Sequence, residues 1–125
     1  MKIFTRIVLL FLVLGTASCA TRHDVNTGFQ CNYGHGSFGQ TSAAFGNETI
    51  CLEGTLVATG GVFIIVLFDS NGSELYKSVF DNTISDNNNP KTYFIDTGIT
   101  VSAGVYTLQY ESIGASGSIN VKLHN

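Results

Sequence analysis

The chain has 125 residues, enough for one domain and not two. Only 12% of them are charged, against 44% apolar, and the net charge is −3. A highly charged disordered chain and a nucleic-acid binder with a basic stripe are both excluded.

The first stretch reads as a leader. Lys2 and Arg6 form a positive n-region, and Ile7 to Leu14 is an unbroken apolar run. Gly15-Thr16-Ala17-Ser18-Cys19 then offers small residues to a signal peptidase. The apolar run is too short for a permanent membrane anchor. Residues 1–18 are therefore assigned to a signal peptide, leaving 107 residues. Those carry four bases and nine acids, a net charge of −5.

Thr16-Ala17-Ser18-Cys19 resembles a bacterial lipobox, with Thr rather than Leu three residues before the cysteine. The resemblance implies that Cys19 becomes the lipidated first residue. Its acyl chains would then hold the protein on a membrane. Ala20 follows the cysteine, which for such lipoproteins implies export to the outer membrane or cell surface. Secretion or a periplasmic location without lipid is the alternative. Setting Cys19 aside leaves Cys31 and Cys51, an even pair suited to an oxidising compartment. A bridge between them is expected, contributing roughly 3 kcal/mol by loop closure.

Residues 19–45 are rich in Gly, Ser, Asn and Gln and read as a tether with an edge strand through Ser37 to Phe45. Residues 46–125 read as the folded domain. Thr49 to Ala58 is a strand interrupted by Gly54, which marks a bulge or close backbone contact. Val62 to Phe68 is seven consecutive apolar residues between Gly60-Gly61 and Asp69-Ser70-Asn71-Gly72, a buried strand followed by a hairpin turn. Glu74 to Phe80 returns, with Tyr76 and Phe80 on one face. After a polar loop ending at Pro90, Lys91 to Thr97 alternates, and Ile99 to Val101 follows. Val105 to Glu111 puts Tyr106, Leu108 and Tyr110 on one face. Ser118 to His124 puts Ile119, Val121 and Leu123 inward, and Lys122 and His124 outward. About seven strands with frequent turns, and no helical period, predict an all-β, antiparallel β-sandwich, either jelly-roll or Ig-like.

Ser102-Ala103-Gly104-Val105-Tyr106 resembles the strand start of bacterial extracellular sandwiches. Together with Phe68-Asp69-Ser70-Asn71-Gly72 and Gly117-Ser118-Ile119-Asn120-Val121, it makes residues 56–123 similar to pre-peptidase C-terminal and CUB-like domains. The resemblance implies a non-catalytic accessory or binding module. Tyr106 also resembles a tyrosine corner.

Little points to catalysis. His23, His35 and His124 lack metal-ligand spacing and read as surface residues. Gly114-Ala115-Ser116-Gly117 is one residue short of a nucleophile elbow. Asp69 and Asn71, and Asp81 and Asp86, are oxygen-rich loop residues that could ligate calcium, though turn chemistry explains them as well. No other cofactor is expected. Tyr33, Tyr76, Tyr93 and Tyr110 are candidates for sugar contact that strand packing explains equally. The run at Val62–Phe68 is apolar on both faces, so one set needs a cover. Phe63, Ile65 and Leu67 are the candidate interface, to be covered by the segment before Gly46 or by a partner.

The expected function is a non-catalytic extracytoplasmic lipoprotein that binds a protein or glycan at the cell surface, without nucleic acid. A small secreted hydrolase, or its accessory subunit, is one alternative. A structural subunit assembling by strand addition is the other.

Overall fold

The computed structural model describes residues 24–83 and 89–125. The leader, Cys19, His23 and Asp86 lie outside the described residues. Eight strands follow in order: β1 (Asn26–Tyr33), β2 (Phe38–Phe45), β3 (Glu48–Thr59), β4 (Val62–Phe68), β5 (Glu74–Asp81), β6 (Lys91–Val101), β7 (Gly104–Ile113) and β8 (Ser116–His124). They form two antiparallel sheets, sheet A in the order β1-β8-β3-β6 and sheet B in the order β2-β7-β4-β5. Every connection crosses from one sheet to the other except the β4–β5 hairpin. That interleaving is a jelly roll, one of the two sandwich forms the sequence allowed.

The period of two sorts the side chains. Ile50, Leu52 and Leu56 of β3 and Ile119, Val121 and Leu123 of β8 meet Phe63, Ile65, Leu67 and Leu108 of sheet B in one continuous core. Aromatic rings fill its middle. Phe63 stacks on Tyr110 with centroids 5.4 Å apart and planes 12° apart, and Tyr33 lies 4.7 Å from Phe63. The Tyr33 hydroxyl donates to the Val57 carbonyl oxygen at 2.8 Å, so the ring's polar tip is satisfied inside. Burial, then the nearby Tyr93, push the Tyr33 hydroxyl up to about 12.

Phe63, Ile65 and Leu67 are fully buried. They are core and not an interface: sheet A covers them, with Tyr33 from the segment before Gly46 directly against Phe63. The opposite set on β4 faces outward from sheet B.

The segment from Asn26 is not a tether. β1 pairs with β8 along its whole length, from Asn26 opposite His124 to Tyr33 opposite Gly117. β2 pairs likewise with β7. Polar composition hid β1 because an edge strand buries only one face, and here that face holds Thr27, Phe29 and Tyr33.

No disulfide joins Cys31 to Cys51. On β8, Cys31 stands opposite Ile119 and Cys51 opposite His124, from the two flanking strands. Five residues along a strand and two strand spacings across separate them by roughly 19 Å. A bridge needs Cα atoms within about 7 Å. The ladder with β8, not a covalent bond, holds β1 in place.

Two local readings hold. The Tyr106 hydroxyl donates to the Ser102 carbonyl oxygen, which makes the tyrosine corner. Gly54 has φ 148°, and a Cβ there would lie 2.0 Å from the Asn120 carbonyl oxygen, the close backbone approach its position suggested.

Candidate functional site

Antiparallel pairing turns sequence-distant residues into rows. On the outer face of sheet A the middle row is Gln30, Asn120, Thr55 and Phe94, one from each strand and each opposite the next. Towards the chain termini the next row is Gly28, Lys122, Glu53 and Asp96. On the other side it is Asn32, Ser118, Val57 and Thr92. The face is thus rich in amides and hydroxyls. Phe94 stands out of it, 79% exposed on the edge strand β6. The side chains of Gln30, Asn32 and Asn120 are exposed, and no hydrogen bond within the described residues uses them.

Two shallow depressions lie over the β1–β8 ladder. One, of about 390 Å³, is lined by Gln30, Cys31, Asn32, Ser118, Ile119 and Asn120. The other, of about 180 Å³, lies on the far side of the Gln30–Asn120 pair, where Gly28 carries no side chain. A Cβ at Gly28 would lie 2.1 Å from the Val121 carbonyl oxygen.

A buried polar cluster anchors the terminal end of this face. His124 is fully buried, contrary to the surface position its place in the sequence suggested. Its Nε2 lies 2.6 Å from Glu53 Oε1 and its Nδ1 lies 2.9 Å from the Asn125 main-chain oxygen. That oxygen can only accept, so Nδ1 carries a proton and donates. The Glu53 contact is a hydrogen bond when a second proton, on ring or carboxyl, lies between the two. Asn125 extends the cluster: its side chain accepts from the Val25 amide at 3.0 Å and donates to Glu48 Oε1 at 3.2 Å. With both ring nitrogens engaged inside the fold, His124 clamps β8 to β3 and is not presented to a substrate.

The other sequence candidates are dispersed. His35 is exposed in the β1–β2 connection. Asp69 Oδ1 accepts from the amides of Asn71 and Ser73, both at 2.9 Å, at one end of the β4–β5 hairpin. Asp81 Oδ1 accepts from the Thr83 hydroxyl at 2.6 Å and the Thr83 amide at 2.9 Å, at the other end. Those two Thr83 bonds hold the Asp81 carboxyl below the usual carboxylate range. The seven residues of β4 separate the two loops by about 20 Å, so Asp69 and Asp81 cannot share one ion. Among the described residues no group of three or more His, Cys, Asp or Glu side chains is placed to hold a metal.

Of the tyrosines weighed for sugar contact, Tyr33 and Tyr110 are buried, and Tyr76 and Tyr93 face inward, half-buried. The middle row was missed, Phe94 included. The alternation of Lys91–Thr97 does put Phe94 on the face opposite Tyr93 and Ile95, which was the available signal.

The opposite outer face differs. There β4 presents Val62, Ile64, Val66 and Phe68, with Val79 opposite Ile64 and Phe38 opposite Glu111. Five of the six exposed large apolar side chains, Phe38, Leu75, Val79, Val105 and Ile113, lie on strands of sheet B.

No family model and no curated protein matches the chain.

Proposed function

We propose that this chain is a non-catalytic, extracytoplasmic binding module, lipid-anchored through Cys19, that takes its ligand on the outer face of sheet A. The supporting observation is the middle row: three polar side chains and one 79% exposed aromatic in register across four strands. Amides without partners among the described residues, held in register on a sheet, are preorganised for an external one.

The chain's path supports this placement. Asp24 and Asn125 lie at the same end of the sandwich, since the Asn125 amide donates to the Val25 carbonyl oxygen at 3.3 Å. A lipid on Cys19 would leave a tether of only a few residues before β1, a reach of about 25 Å at most. The terminal end would then face the membrane, and the outer face of sheet A would stand away from the bilayer plane.

Mass spectrometry of the mature N-terminus tests the anchor: an acylated Cys19 is expected. Binding of the purified mature chain to cell-envelope preparations tests the face. Phe94→Ala should reduce retention strongly, and Phe38→Ala on the opposite face should not. Retention unchanged by Phe94→Ala would overturn the assignment of the face.

A further inference from the structure

Resting on that reading of the face, we propose that its ligand is a neutral oligosaccharide, laid across sheet A with one ring stacked on Phe94 and its hydroxyls on Asn120 and Gln30. The row is uncharged from end to end. An anionic polymer would need bases, and Lys122 is the one base on the described outer face of sheet A. A cationic ligand would need a cluster of free carboxylates, and here Glu53 is already bonded to His124, which leaves the exposed Asp96 alone beside the row. A protein partner would want several aliphatic or aromatic anchors together, and apart from Phe94 this molecule places its exposed large apolar side chains on the other sheet.

A pyranose matches what remains. Its faces carry C–H groups that pack on an aromatic ring, and its rim carries hydroxyls that both donate and accept. A carboxamide also does both, so one Asn or Gln can engage two neighbouring hydroxyls. The row spans three strand spacings, about 14 Å, which suits a short run of sugar units better than a single one. The depression of about 390 Å³ between Asn32 and Ser118 gives one unit a seat beside the Gln30–Asn120 pair. The site is shallow, so each contact is weak. Many copies held on one membrane would bind a polymer by avidity.

The test is titration calorimetry of the mature chain with neutral oligosaccharides, namely cello-, malto-, xylo- and chito-hexaose, with heparin as the polyanionic control. Binding of at least one neutral probe is expected, insensitive to salt. Phe94→Ala and Gln30→Ala should each weaken it by roughly tenfold, and Phe38→Ala should leave it unchanged. Thermal unfolding of each variant confirms that the fold is intact. Heat from heparin alone, or no heat from any neutral probe, overturns the ligand class. If Phe94→Ala still strongly reduces envelope retention in that case, the face stands and its ligand is of another kind, a protein included. If retention also survives, both readings fall.

Discussion

Sheet A and sheet B have the same inner chemistry and opposite outer ones. Inside, both alternate large apolar side chains into one core. Outside, sheet A shows amides, hydroxyls, the charged Lys122 and Asp96 and one phenyl ring, whereas sheet B shows an aliphatic stripe along β4 and its neighbours. The stripe is partly covered from within its own sheet. Val66 is only 7% exposed although it faces outward, because it stands between Gln109 of β7 and Lys77 of β5. Long polar side chains lay their stems over an apolar neighbour and keep their tips wet. The difference teaches that the core demands only one face of each sheet. The other face is free to be shaped for recognition, and here the two are shaped differently.

The largest effect should come from the core that both faces share. Phe63→Ala removes the ring packed against Tyr33 and Tyr110 and should cost about 3–5 kcal/mol in urea unfolding, disabling both faces together. Next is the clamp beneath sheet A. Glu53→Gln weakens the bond to buried His124 and should cost about 1–3 kcal/mol by the same measurement. The matching change on sheet B, Lys77→Gln, lies at the exposed rim and should stay within about 0.5 kcal/mol.

Alkaline pH probes the packing between the sheets. The Tyr33 hydroxyl titrates higher in the fold than its ordinary value of 10.0, at about 12. Its contribution is therefore fully present below pH 10 and is lost as pH rises towards 12. Tyr33→Phe should lower stability by about 1 kcal/mol near neutrality through the lost bond to Val57. It should also flatten the decline between pH 10 and 12, followed by urea midpoints. An unchanged decline would place the alkaline sensitivity elsewhere.

Smaller still are the surface changes that separate the faces. Phe94→Ala and Val79→Ser should each shift stability by no more than about 0.5 kcal/mol. Only the first should weaken ligand binding, by roughly tenfold. Smallest of all is the effect of a reductant. With Cys31 and Cys51 unbridged, dithiothreitol should leave the melting temperature unchanged. A bridge would have contributed roughly 3 kcal/mol.

Much of the inner face was legible residue by residue. Tyr76 and Phe80, Tyr93 and Ile95, Tyr106 and Leu108, and Ile119, Val121 and Leu123 all point where a period of two places them. The Asp69–Gly72 hairpin and the Tyr106 corner were readable because their bonds span a few residues. The site was not. Gln30, Thr55, Phe94 and Asn120 lie far apart in the chain, and local alternation turns Phe94 and Asn120 outward without making any of the four neighbours.

What the sequence determined by itself was therefore the alternation: which side chain of each strand meets the core, and hence that two sheets must stack. Only the tertiary structure decided which strands are neighbours and in what register. That choice set Cys31 and Cys51 apart, buried His124 against Glu53 and aligned the polar row. Alternation is a property of consecutive backbone units, but register is fixed by contacts between distant ones, where a slip of a single residue would exchange the two faces.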